Sequence, residues 1–461
     1  EEFMKYVIKK GSVVFKGGEK KCDVLVEEGK IAALGDIPCD ADVIDAEGMH
    51  VFPGLIDMHV HLREPGFEGK EDIESGSKAA VAGGFTQICC MPNTNPVNDN
   101  AVVTTYIKYR AEQVNLCKVH PIGSITKGEK GEELAEIGKM AQAGSVAISD
   151  DGRSVMDSKI MRLAMEYANG FNLKCLCHCE DENLVDGGVV NEGLNSTITG
   201  LKGSIRAAED IMIAREIALS ESLDIPVHIC HVSTYSGTEL IRSAKARGVK
   251  VTAESCPHYF WLTDDVIRSF DTYTKVNPPI REERDRLAVI EGLKDGTLDC
   301  IVTDHAPHSK KDKQVEYSLA AFGISGIETS FSLSYTKLVK DGDMTLPELA
   351  ERMSAAPARI LGLEGGEIKV GAPADITIAD LAAKYVIDGE KFLSKGKNTP
   401  FNGTEVYGKV AYTIVDGDVK YSAQQCAAFA AVCRCAGGRG AESGAEIKLI
   451  RENKINQRRG L

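Results

Sequence analysis

No stretch of this chain approaches the roughly 18 consecutive apolar residues of a membrane helix, which leaves no helical span to place. Positive charge is also in deficit. The 54 Lys and Arg face 68 Asp and Glu, and a formal net charge of −14 argues against a nucleic-acid partner. The start, Glu1-Glu-Phe-Met-Lys5, lacks the basic region and apolar stretch of a secretory leader. A soluble, cytoplasmic protein with no membrane and no nucleic acid is therefore expected. Cysteine is not scarce, at 14 residues, but Cys89, Cys90, Cys175, Cys177, Cys230 and Cys300 sit inside apolar runs. In a long chain without a leader these read as reduced core thiols, not as a disulfide scaffold. A length of 461 residues exceeds one small core, so a large domain with an accessory domain is expected.

Hydropathy patterning divides the chain. Up to about residue 51 it reads as short strands with tight turns, as in 6–11, 22–27 and 30–35. Over 52–365 apolar strands alternate with helical periodicity. Strands are expected at 54–58, 86–91, 118–123, 145–149, 174–178, 226–231, 249–254 and 299–303. Helices include 72–82, 158–168, 206–220 and 236–246. The count suits a (β/α)8 TIM-type barrel, although an open doubly wound sheet would alternate as well. Short strands return over 366–421. Segments 1–51 and 366–421 are thus expected to form one small β-sandwich domain beside the barrel. Residues 422–461 turn from Ala, Gly and Cys to basic and polar, and read as an atypical tail of unknown role.

Six residues capable of holding metal end five of these apolar runs or follow them closely: His59, His61, Asp151, His178, His231 and Asp304. Such groups from many strands converge at the C-terminal end of a closed barrel, whereas an open sheet gathers its site near one switch point. The spread therefore favours closure. His59-Val-His61 alternates on a strand, so both imidazoles face one side and can chelate one ion. Cys177 and Cys179 flank His178 but point away from it on a strand, which argues against thiolate ligation. His228 faces away from His231 by the same logic. His50, His120, His258 and His305 are read as structural or supporting.

The run Pro53-Gly-Leu-Ile-Asp-Met-His-Val-His61 resembles the entry motif of the amidohydrolase superfamily. Its extension, Leu62-Arg-Glu-Pro-Gly66, is similar to the dihydroorotase family. The stretches 91–96, 275–281, 303–308, 322–328, 366–375 and 394–401 resemble type I members in order, so the resemblance covers residues 4 to about 421. It implies a cyclic amide hydrolase of pyrimidine biosynthesis that interconverts N-carbamoyl-L-aspartate and L-dihydroorotate. The cofactor implied is zinc, two ions per chain. Many relatives bridge the ions with a carbamylated lysine, but this chain has Ser149-Asp-Asp-Gly152 there, as bacterial type I members do. Asp151 is preferred to Asp150 as the bridge. His178 and His231 would hold the second ion. Asp304 would bind metal and carry a proton from the attacking water to the departing ring nitrogen.

Arg63 offers a planar fork for the substrate carboxylate. The resemblance adds Asn93 and His308 to that contact and Asn277 to the ring, and backbone groups near Phe322 and Gly323 could read the ureide edge. The run Ser309–Lys313 is expected to be a solvated loop. Type I relatives are often dimers, and some associate with aspartate transcarbamoylase. Two other readings are a different cyclic amidase, such as allantoinase or dihydropyrimidinase, and a non-catalytic structural relative. Arg63, Asn93 and the aspartate bridge argue against the first, and the intact ligand set against the second.

Overall fold

A computed structural model describes residues 5–38, 41–342 and 344–423. The chain up to Tyr421 forms one compact unit. The tail expected over 422–461 lies outside the described residues apart from Ser422 and Ala423. No helix among the described residues is long and apolar enough to cross a membrane.

Eight parallel strands form the central sheet in sequence order: Leu55–Val60, Phe85–Cys90, Lys118–Gly123, Ala147–Ile148, Cys175–Cys177, Val227–Ile229, Val251–Ser255 and Cys300–Ile301. Each coincides with an expected segment. Every residue of the first two strands is buried, as parallel strands covered on both faces require. The sheet closes beyond the short eighth strand. Val60 bridges His305 in parallel, and the His61 amide donates to the His305 carbonyl at 2.8 Å. Asp57 laces the seam from the first strand, accepting from the Thr303 amide at 3.2 Å and from its hydroxyl at 2.5 Å. The architecture is therefore a barrel, not an open sheet. Gly54 lets the first two strands approach at their entry, since a Cβ there would lie 2.3 Å from Thr86 Oγ1.

The helices begin where side chains can satisfy their first amides. Asp72 caps Ile73–Ala82, Asp157 caps Ser158–Asn169 and Thr234 caps Tyr235–Ala246. The long helix Ala207–Leu223 follows the 206–220 periodicity. Two further sheets come from the terminal segments. One orders Lys30–Gly35, Asp23–Glu27, Lys5–Lys9 and Asp42–Asp45. The other orders Asp418–Ser422, Glu405–Val415, Ile376–Val386, His50–Pro53, Ser12–Phe15 and Gly18–Lys21. Ile8, Val24, Ile31, Val51, Ile376 and Ile414 share one core between them. Ile376–Ala379 pairs antiparallel with His50–Pro53, which joins late sequence to early sequence beside the barrel. Residues 394–401 then run back over the C-terminal end of the barrel strands. There Asn398 receives the Ser325 amide on its carbonyl at 2.9 Å and the His308 amide on its side chain at 3.0 Å.

Candidate metal centre and substrate wall

The barrel brings all six sequence-expected ligands together. His59, His61 and Asp151 form one buried group whose donor atoms lie within 4.8 Å of one another, and Asp151, His178 and His231 form a second. Asp151 belongs to both. Its Oδ1 is 3.2 Å from His59 Nε2 and 3.4 Å from His231 Nε2, while Oδ2 is 3.4 Å from His61 Nε2. Asp304 Oδ1 stands 3.1 Å from His61 Nε2 and 3.7 Å from His59 Nε2. Burial opposes charge on Asp151, but His59, His178 and His231 hold its carboxyl well below the usual range. Asp150 points elsewhere. It accepts from the Ile125 and Thr126 amides at 2.8 and 3.0 Å and fixes the loop after the third strand.

The donor chemistry fits divalent cations. His178 Nδ1 and His231 Nε2 face each other at 2.9 Å, and the buried His59 Nε2 and Asp151 Oδ1 have no hydrogen-bond partner. Nitrogen and carboxylate donors crowded this closely, with orphaned acceptors among them, are what a zinc-type ion satisfies. The thiols flanking His178 take no part. Cys177 and Cys179 are buried outside both groups, and every cysteine among the described residues is unpaired.

Sequence reasoning missed the groups that orient the ligands. Glu254, buried on the seventh strand, accepts from His59 Nδ1 at 2.7 Å and pairs with His228 Nε2 at 3.0 Å. This selects the His59 tautomer whose Nε2 lone pair faces Asp151. Burial would raise the Glu254 carboxyl, but the two imidazoles hold it far below its ordinary value. Glu180 does the same for His178, meeting its Nε2 at 3.1 Å. An acid inside Val251–Ser255 was the available signal, since a central strand does not bury a carboxylate without a partner. His258 has no hydrogen-bond partner on either ring nitrogen, and burial pushes it down to about 4.

The residues expected to contact substrate gather beside the first group. Arg63 sits in left-handed backbone at φ 62°, with a buried Nε that lacks a partner. Burial, opposed by Asp304 and Asp151, lowers its guanidinium to about 10. Asn93 Oδ1 accepts from His61 Nδ1 at 2.8 Å, which leaves its amide NH2 to donate outward. His308 Nε2 donates to the Phe322 carbonyl at 2.8 Å, with Arg63 Nη2 at 3.4 Å, and Lys70 Nζ lies 3.4 Å from Nδ1. Burial, then Arg63, Lys70 and Lys313, push His308 down to about 2, so the ring is neutral. Asn277 Nδ2 lies 3.4 Å from His178 Nε2. Gly323 is engaged within the protein through both backbone groups: its amide donates to Lys275 O at 2.9 Å and its carbonyl accepts from Asn398 Nδ2 at 2.9 Å. Each carbonyl of this wall keeps a second lone pair. The run Ser309–Lys313 is solvated at Lys310 and Lys311, as expected, but not at Lys313. It holds a short helix, Lys310–Lys313, and Lys313 is 1% exposed because it turns inward to backbone carbonyls.

Comparison with known proteins agrees with this geometry. Residues 48–237 match the family model described as dihydro-orotase-like. A dihydroorotase of Acetivibrio thermocellus is 55% identical over 399 residues, covering 86% of this chain and 94% of that protein. One from Geotalea daltonii is 51% identical over 421 residues, covering 90% and 99%. Among solved structures, the L-hydantoinase (dihydropyrimidinase) of Arthrobacter aurescens aligns with a TM-score of 0.82 at 28% identity, over 90% of this chain and 96% of that one. A dihydropyrimidinase from Brevibacillus agri aligns at 0.80 and 23% identity, which speaks to the fold alone. With relatives above half identity over nearly the whole length, and with the metal groups and Arg63 in place, the chain belongs to the dihydroorotase family.

Proposed function

We propose that this site interconverts N-carbamoyl-L-aspartate and L-dihydroorotate plus water. The observation that carries the reading is Arg63. A buried guanidinium with an unpartnered Nε, beside a carboxylate-bridged histidine cluster, is a place for a substrate anion next to a centre that can activate water. Two divalent ions, which we read as zinc, held by His59, His61 and Asp151 and by Asp151, His178 and His231, would acidify water and polarise the ring carbonyl. The remaining work falls to side chains of this chain. Arg63 and the Asn93 amide bind the carboxylate. The neutral His308, donating to the Phe322 carbonyl, lies beside Arg63 without adding a charge of its own. Asn277 approaches the ring from the His178 side. Asp304 receives a proton from water in the hydrolytic direction and delivers it to the ring nitrogen. Ring closure reverses these steps.

The test is an assay of L-dihydroorotate, dihydrouracil and allantoin on one preparation, with metal content measured on the same sample. The acidic substrate should be strongly preferred and about two zinc ions found per chain. Turnover of dihydrouracil or allantoin equal to that of dihydroorotate would move the reading to a neutral cyclic amidase.

A further inference from the structure

Two lysines lie under the segment that carries Phe322, and neither is used by the chemistry above. Lys313 and Lys275 are 1% and 2% exposed. Among the described residues neither has a carboxylate within ion-pair distance. Their partners are carbonyl oxygens. Lys313 Nζ donates to Ala321 O at 2.6 Å and to Lys275 O at 3.4 Å. Lys275 Nζ donates to Ser318 O at 2.9 Å and stands 4.4 Å from the centre of the Phe322 ring. The backbone closes the same knot, because the Gly323 amide also donates to Lys275 O and the Ala321 amide donates to Asp312 O. Thr272 Oγ1 ties the carbonyl of Lys313 to the other strand of the knot at 2.6 Å.

Ala321 adjoins Phe322, whose carbonyl holds His308. Lys275 lies two residues before Asn277. One amine thus rivets together the two loops that form the ring-facing wall. An aliphatic side chain of similar length would fill the same volume without desolvating a cation, so packing does not account for a lysine here. We infer that Lys313, assisted by Lys275, is a positioning residue that holds the Phe322–Gly323 segment and the Asn277 loop in register for substrate. The inference rests on the ring-binding role proposed above for that wall.

Burial, reinforced by Lys275 and opposed by Asp271, pushes the Lys313 amine down to about 7, consistent with a group retained against its own solvation. The test is Lys313→Met in the metal-loaded protein, with Lys275→Met as a second variant should the first fail to fold. Hydrogen exchange of a peptide spanning 315–325 should quicken about tenfold as the rivet is lost. Tm should hold or rise, metal content should match the parent, and KM for L-dihydroorotate should rise about ten- to a hundredfold, more than kcat falls.

Exchange equal to the parent's would overturn the inference. So would quicker exchange with an unchanged KM, or a fall in Tm alone, which a purely structural role gives. If the parent protein itself does not turn over dihydroorotate, the proposed function fails. The exchange result then still decides whether the rivet exists, and KM on the cyclic ureide that the protein does hydrolyse decides its effect.

Discussion

Glu254→Gln isolates the charge behind the first metal group from its shape. Glu254 is fully buried, and its two oxygens serve His59 at 2.7 Å and His228 at 3.0 Å. A glutamine there can keep both contacts. Its carbonyl can accept from His59 Nδ1 and its NH2 can donate to His228 Nε2, provided that His228 shifts its proton to Nδ1. Thr252 Oγ1, 2.9 Å from that nitrogen, can accept the proton by rotating its hydroxyl. Both histidine contacts survive, so the fold should lose little. What disappears is the negative charge that makes His59 a stronger donor. A charge-assisted bond contributes roughly 1.5–3 kcal/mol against about 1 for a neutral one. The difference of about 0.5–2 kcal/mol is on the order of two- to thirtyfold in metal affinity, its upper part overlapping what supporting carboxylates provide. The assay is metal retention against a graded chelator, with kcat measured in excess zinc. Affinity should fall by that factor, Tm should stay near the parent's, and added zinc should restore most turnover. Unchanged metal affinity would refute the tautomer-and-charge argument. A collapse of Tm with the metal loss would show that Glu254 serves the barrel and not the ligand.

Asp304→Asn should retain metal and fold but lose nearly all turnover, measured as kcat at saturating dihydroorotate; near-parental activity would remove the proton carrier. Arg63→Met should raise KM for the acidic substrate by at least about tenfold, as loss of a charge-assisted fork predicts, and spare turnover of neutral ureides. Gly396→Ala should raise KM and lower Tm together. The added Cβ would lie 2.5 Å from Pro307 Cβ and 2.7 Å from Ser325 Oγ, forcing residues 394–401 off the wall. Lys313 sets a pH dependence of stability. Its folded value of about 7 lies below its ordinary 10.5, so the unfolded chain binds more protons across that window. Stability from this residue therefore rises as pH climbs from about 7 towards 10.5, and Lys275, pushed down to about 8, adds to it with the same sign. The stabilisation of Lys313→Met over the parent should be largest near pH 7 and shrink towards pH 10, read as the difference in Tm.

The features that were legible in sequence are those set by local periodicity. The His59-Val-His61 pair could be placed because strand alternation puts both rings on one side, and all eight barrel strands follow from apolar runs of the right length. The choice between Asp150 and Asp151 could not be made locally. Adjacent residues beyond a two-residue strand differ only in what the neighbouring loop offers, and here the Ile125 and Thr126 amides claim Asp150. Glu254 and Glu180 escaped notice because their role exists only once histidines from other strands are in place. Lys313 was misread as solvated for a similar reason. Its acceptors, Lys275 O and Ala321 O, are carbonyls that carry no side-chain signature. The run 394–401 was recognisable as a motif, but nothing in it announces that it packs against residues some ninety positions earlier.

That placement has a consequence for how the chain comes to life on the ribosome. The six expected metal ligands and Arg63 have all been synthesised by residue 304. His308 and Gly323, however, rest on the side chain of Asn398, and the Ser325 amide rests on its carbonyl. The strand His50–Pro53, laid down early, waits for Ile376–Ala379 before it is paired on that side. A nascent chain therefore carries every expected metal ligand well before it carries Asn398, which supports the expected substrate wall. On the function proposed above, completing the chain, and not loading the metal, would be the step that readies the site for substrate.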